Sequence, residues 1–209
     1  AVPASDRWLE KLLAPFRDPH VAAVYGRQIP REGATAERKM TFNRLYPEYR
    51  MVKEQSRKKE LGYLYYHFSD VTSAIRRSVW EKFPFPEHLK VFEDIGFAKQ
   101  VLDAGWKIVY EPEAAVYHSH NHDTGGLFRR YFDLGWTWRE LGLWEPSVGP
   151  ALLRDWLRLT AGSGQGTQAG SRRTIVPMVS KGLGFACGLY HFLIPRPIKR
   201  KMSAFGVVE

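Results

Sequence analysis

The stretch from Val91 to His120, VFEDIGFAKQVLDAGWKIVYEPEAAVYHSH, constrains the fold more than any other. An acidic pair, Glu93-Asp94, leads into a run whose apolar residues Ile95, Ala98, Val101 and Leu102 fall on one helical face. Asp94 stands where an acidic side chain caps a helix, and Gly105 stands just past the end, where a left-handed residue is wanted. The spacing predicts a helix over 94–104. KIVYEP and AVYHSH then read as two short extended segments separated by Pro112. Upstream, VAAVYG (21–26) is short, apolar and β-prone, which predicts a buried strand ending at Gly26. Phe68 to Ile75 gives a second strand signal, and RRSVWEKF opens a short helix. Strands and helices alternating in this order imply an α/β layer fold.

Elsewhere the pattern is looser. Ser5-Asp6 caps a short helix carrying Trp8, Leu9, Leu12 and Leu13, which Asp18-Pro19 breaks. The polar, charged stretch 31–62 predicts one helix around 37–54 followed by a loop. Beyond about residue 123 the character changes. Helices are predicted over 124–142 and 147–160, AGSGQGTQAG (161–170) is a flexible linker, and 174–194 is a rather apolar final segment. The reading divides the chain into 1–122 and a helical extension, 123–209, with no internal repeat.

With 209 residues, 44% of them hydrophobic, the chain is long enough for a real core. A single cysteine, Cys187, excludes a disulfide scaffold and a cysteine-only zinc site, and suits a reducing compartment. A net charge of +9 favours anionic partners: nucleic acid, nucleotide-sugar phosphates or an acidic lipid surface. The basic runs are scattered, which argues against one nucleic-acid stripe. The chain opens on AVPASDRWLEKLL, with neither an initiating methionine nor a signal-peptide pattern. This reads like the middle of a protein.

YHSHNHD (117–123) spaces three histidines at alternate positions, followed by a carboxylate. On a strand, alternate residues share a face, so His118, His120 and His122 are conceivable ligands of a three-histidine zinc centre. The metallo-β-lactamase-like hydrolases carry aspartate directly before the last histidine of such a string, and here the order is His122 then Asp123. A surface strand or a hydrogen-bonded histidine pair accounts for the same spacing. Glu93-Asp94 has two readings as well: a helix cap, or an ionised carboxylate held at a helix N-terminus as a general base.

Taken together, the window resembles the family 2 glycosyltransferases, which have the GT-A fold. In that family a Glu-Asp pair opens a helix, which ends in a small residue, a glycine and an aromatic; a strand, "EPEA" and a closing "VYH" follow. All stand here in that order. VPASDRWLEKLLAPFRDPHVAAVYGRQIPR (2–31) and FSDVTSAIRRSVWEKFPFPE (68–87) look like the rhamnosyltransferase-type members of surface-polysaccharide (O-antigen, cell-envelope) biosynthesis. The resemblance covers roughly residues 1–135. It implies the C-terminal, acceptor-side part of a Rossmann-like, mixed-sheet GT-A domain, followed by a helical extension. It also implies that the sequence begins just after an Asp-x-Asp-type metal motif. The nucleotide-binding first half then lies outside it, and this length alone would be inactive.

What the resemblance implies for chemistry is metal-dependent, inverting transfer of a hexose from a nucleotide-diphosphate donor to a glycan or lipid-linked acceptor. Asp94 would be the base and Glu93 a helper. The metal would be Mg2+ or Mn2+, held by the acidic motif with His118, or alternatively His120, completing the shell; His122 is not implied. SDVTSAIRR (69–77) corresponds to the loop lining the sugar pocket, with Asp70, Thr72 and Ser73 as candidate contacts. Family members often carry asparagine at one or both of the positions filled here by Asp70 and Thr72, which leaves the donor sugar open. Arg76 and Arg77 face phosphate or are surface arginines ahead of a helix. Arg27 and Gln28 end a strand at the rim where α/β folds bind ligands, and are substrate contacts or plain surface residues.

The segment 174–194 approaches spanning length, but Pro177, Lys181, His191 and several glycines argue against a transmembrane helix. With Arg172-Arg173 before it and Arg196, Lys199, Arg200 and Lys201 after, residues 172–201 either lie at an anionic bilayer interface or pack as a helix on the catalytic domain. The expected place is the cytoplasm, peripheral at the inner face of the plasma membrane. Two readings compete. A basic nucleic-acid-binding module fits the charge but lacks any recognition-helix or RNA-binding signature, so no nucleic acid is expected. A zinc hydrolase would centre on 118–123.

Overall fold

The computed structural model describes residues 1–89, 91–120, 122–144 and 172–206, so the helix expected at 147–160 and the linker at 161–170 lie outside the described residues. The chain falls into two compact units, one made of 1–87 with 93–120 and the other of 88–92 with the residues from 121 on.

The first unit is a mixed sheet with helices, the α/β class implied by the sequence. Its strands are β1 (Val2–Pro3), β2 (Val21–Ile29), β3 (Met51–Lys53), β4 (Ser73–Ile75) and β5 (Lys107–Tyr117). Strand β5 pairs along one edge with β2 in parallel. Its other edge pairs antiparallel with β3 over 108–110 and with β1 over 116–117, while β4 pairs antiparallel with β2. The apolar run VAAVYG is buried throughout, as a strand covered on both faces must be, and it continues through Arg27 to Ile29.

The two extended segments around Pro112 form one strand with a large irregularity. After a one-residue slip between Val21 and Ala23, the β2–β5 register runs evenly to Gly26↔Glu111 and resumes at Gln28↔Val116, so β5 fits four residues where β2 has one. A proline has no N–H for the ladder, which is why the chain leaves the sheet at 112.

Helix α1 (Trp8–Leu13) buries Leu12. Helix α2 (Ala36–Leu45) is capped by Thr35, whose hydroxyl accepts the Arg38 N–H. Instead of running on to 54, α2 stops before Pro47, and Met51–Lys53 forms a strand whose residues 51 and 53 both point inward. Two short helices follow, α3 (Lys58–Leu61) and α4 (Arg77–Trp80). The strand expected over 68–75 is confined to β4, because Asp70–Thr72 form a 3-10 turn. Helix α5 (Glu93–Asp103) buries Ile95, Phe97, Ala98, Val101 and Leu102, and Gly105 at φ +86° ends it.

In the second unit, Asp123 caps α6 (Thr124–Glu140) by accepting the Gly126 N–H at 2.6 Å. Helix α7 (Arg172–Leu189) runs parallel to α6. Ser180 Oγ donates to Thr124 O, Gly184 packs on Phe128 O and Gly188 on Phe132 O, a constant offset along both helices. A Cβ on Gly184 or Gly188 would lie 2.3 or 2.1 Å from those carbonyl oxygens, so small residues every fourth position set the helix spacing. Last comes α8 (Arg196–Met202).

Candidate active site

The turn at 104–106 reverses the chain between α5 and β5, since Gly105 and Trp106 donate back to Leu102 O and Val101 O. The N-terminus of α5, with Glu93 and Asp94, therefore points toward the end of the sheet where β2 and β5 finish. Ligands of open α/β sheets collect at such carboxyl ends.

Both carboxylates are partly buried in the opening turn of α5. Asp94 Oδ1 accepts the Ile95 N–H at 2.8 Å, which fixes the carboxylate at the positive end of the helix. The residue before them, Phe92, has φ +57° and is the one non-glycine residue of positive φ among those described. A bulky side chain in the left-handed region is strained by about 1–3 kcal/mol, and such strain collects at sites that must hold one geometry.

At the end of β5, His118 donates its backbone N–H to Ile29 O at 2.9 Å, so it lies beside the last residue of β2. Its ring meets that of His120 edge-on, with centroids 4.7 Å apart. Burial, then the His120 ring, the amino group of Ala1 and the charges of Arg31 and Arg38 push the His118 imidazole down to about 4. It is a neutral nitrogen donor at physiological pH, the form that ligates metals.

The strand ends at Tyr117, before the three histidines, and Asp123 is engaged as the α6 cap. Among the described residues no three His, Cys, Asp or Glu are grouped to hold a metal ion. This corrects the three-histidine zinc reading: alternate positions share a face only while the chain stays extended.

The loop residues are drawn together around Gly26. Thr72 is buried and its hydroxyl accepts the Trp8 indole N–H at 2.9 Å, while its methyl group packs by Gly26. Ser73 pairs with Tyr25 across the sheet, and Asp70 is exposed at the start of the turn. Gln28 is turned inward, 5% exposed, and its amide donates to Tyr46 Oη and Ser69 Oγ at 2.7 and 2.8 Å, so it orients the loop from beneath.

The arginines divide. Arg27 pairs with exposed Glu48 at 2.9 Å. The Arg76 guanidinium donates to the carbonyls of Phe16, Asp18 and Val21 and stacks on the Phe16 ring, which ties α1's trailing turn to β2. Arg77 is exposed and pairs with Glu81 one helical turn on.

Sequence reasoning missed Lys53. It is fully buried, and its ammonium is pushed well below the usual lysine range by burial. It donates to Leu64 O at 2.6 Å and to His67 O, anchoring the segment that leads into the Ser69–Ser73 loop. The signal was the alternation Met51-Val52-Lys53, which places residue 53 on the same inward face as Met51.

The family model described as glycosyltransferase-like family 2 matches residues 1–132. The chain belongs to this family.

Among curated relatives, this glycosyltransferase-like chain is 39% identical over 142 residues to the O-antigen chain rhamnosyltransferase WbaN of Salmonella anatum, covering 64% of this chain and 45% of that protein. It is 36% identical over 150 residues to the O-antigen chain rhamnosyltransferase RfbN of Salmonella typhimurium, covering 68% of this chain and 48% of that one. The chain thus spans about half the length of the curated relatives it matches. No solved structure matches it.

Proposed function

We propose that this family 2 chain supplies the acceptor side of an inverting, metal-dependent sugar transferase of O-antigen assembly. It would transfer rhamnose from a nucleotide-diphosphate donor to a glycan or lipid-linked acceptor. The observation that carries the reading is the family match over 1–132, within which Glu93-Asp94 opens α5 at the end of the sheet where β2 and β5 finish.

In this account Asp94 accepts the proton of an acceptor hydroxyl as that oxygen bonds to the anomeric carbon. The bond from that carbon to the diphosphate breaks in the same displacement, and the configuration inverts. Glu93 hydrogen-bonds the acceptor or holds the opening turn. Asp70, Thr72 and Ser73 shape the sugar pocket, with Gln28 and Lys53 positioning their loop from inside. Arg27, at the carboxyl end of β2, is the arginine that would meet a phosphate-bearing donor, whereas Arg76 and Arg77 follow β4 beside Val21 and Ala22, at the other end of β2.

A divalent cation fits part of the donor set. His118 offers a neutral imidazole, and His120 stands beside it as the alternative. One nitrogen among oxygens suits Mn2+ better than Mg2+. When bound, the cation supplies charge neutralisation to the leaving diphosphate.

The test is a transfer assay on the purified full-length protein, with nucleotide sugars as donors and with chelator or added Mn2+. Metal-dependent release of nucleoside diphosphate from a rhamnose donor supports the reading. Undiminished turnover in chelator removes the metal assignment, and no turnover of any nucleotide sugar with metal present removes the function.

A further inference from the structure

Residues 172–208 contain seven lysines and arginines, namely Arg172, Arg173, Lys181, Arg196, Lys199, Arg200 and Lys201, and no aspartate or glutamate. In a chain whose total charge is +9, this stretch is the most one-sided. Its apolar side chains are displayed as well as charged ones.

Helix α7 has two distinct faces. Ser180, Gly184 and Gly188 face α6, whereas Val176, Leu183 and Tyr190, seven residues apart, are exposed along another line. The exposed line leads into Phe192 and Leu193, which are 54% and 72% exposed, and on to Ile198 and Phe205. Arg196, Arg200 and Lys201 are exposed among them.

The display is held in place by the rest of the unit. The His191 ring stacks on Trp136 at 3.6 Å, Arg139 lies over the Phe192 ring, and Lys199 lies over Trp136. Beyond α8, Ala204 and Phe205 donate their N–H groups to buried Asp133 at 2.8 and 3.1 Å. The apolar groups therefore stand out from a pinned hook and not from a frayed end.

We infer that the outer line of α7 and the hook 190–205 form a docking surface for an anionic phospholipid bilayer. The occupant follows from the pairing of chemistries. Exposed aromatic and aliphatic groups partition into the headgroup boundary, and a surround in which cations outnumber acids, with Glu140 3.5 Å from the His191 ring, is attracted to anionic lipid. None of the described helices is long and apolar enough to cross a membrane, so the element lies on the surface. The contact is narrower than the whole segment 172–201, because the small-residue face of α7 is already occupied by α6. It does not depend on the transferase reading.

The experiment is vesicle co-sedimentation of the full chain, with phosphatidylcholine alone and with added phosphatidylglycerol, at low and high salt. Binding should require phosphatidylglycerol and weaken with salt. Arg200→Ala with Lys201→Ala should lower affinity roughly 30-fold at low salt, from roughly 1 kcal/mol for each basic residue. Phe192→Ser with Leu193→Ser should also weaken binding, at unchanged charge and unchanged thermal unfolding. Lys58→Ala with Lys59→Ala removes the same charge elsewhere and should leave binding nearly intact. Equal binding to both lipids, no binding, equal losses from the two double charge variants, or self-association of the chain in place of vesicle binding would each overturn the proposal.

Discussion

Gly26 and Ala114 meet so closely that a Cβ on residue 26 would lie 1.9 Å from the Ala114 carbonyl oxygen. Strand β2 has a glycine where β5 folds its extra residues inward, and the same spot holds the Thr72 methyl group 3.1 Å from that Cβ position. The irregularity in β5, the 69–73 loop and the rim of β2 are therefore fitted to one another at a single position.

Gly26→Ala should force β5 or the 69–73 loop outward. Overpacking of this kind costs about 1–3 kcal/mol. The expected result is a lower urea midpoint, with donor affinity falling further than stability alone explains. A midpoint equal to that of the parent chain would show that the close approach is not required.

Phe92 carries left-handed strain directly before the proposed base. Phe92→Gly and Phe92→Ala remove the same ring, including its contact with Arg130 at 5.2 Å, and differ in backbone freedom. The glycine variant should be the more stable by about 1–2 kcal/mol in urea titration. Equal stabilities would mean that residue 92 relaxes out of the left-handed region.

His67 makes the first unit sensitive to acid. Its Nε2 is shut from solvent without a partner, its ring lies edge-on to Tyr25 and Tyr46, and burial, then the charge of Lys53, pushes it down to about 3. The folded value lies below the unfolded 6.5, so the unfolded chain takes the proton first as pH falls. Stability is retained above pH 6.5 and declines toward pH 3, at up to about 1.4 kcal/mol per unit. His67→Phe should lose less stability than the parent between pH 7 and 5, by up to about 2 kcal/mol, in urea titrations at the two values.

How much of this was legible beforehand depended on whether polarity and position agreed. Helix α5 was legible because its apolar spacing, acidic start and Gly105 all point one way, and β2 because VAAVYG is apolar without interruption. Strand β3 was hidden: a lysine on its buried face makes Met51-Val52-Lys53 look like the charged stretch around it. Gln28 sat at the rim in the sequence reading, yet its side chain turns inward, since residues on a strand alternate between faces. The pairing of α6 with α7 left its trace in Ser180, Gly184 and Gly188, which as a pattern of small residues in an apolar segment did not name a partner. The left-handed Phe92 had no signal at all, because nothing in its residue type asks for positive φ. Of the candidate site, the residue types and their order were readable, while their commitments to internal hydrogen bonds were not.

A proton acceptor at residue 94 is tested most directly by Asp94→Asn in the full-length protein, because the side chain keeps its shape and its Oδ1 acceptor for the Ile95 N–H. Steady-state transfer from a nucleotide-sugar donor with Mn2+ should fall by on the order of 10²–10⁴ in kcat, with donor affinity and thermal unfolding unchanged. Transfer by the Asp94→Asn variant at the parental rate would contradict the assignment of Asp94 as the base.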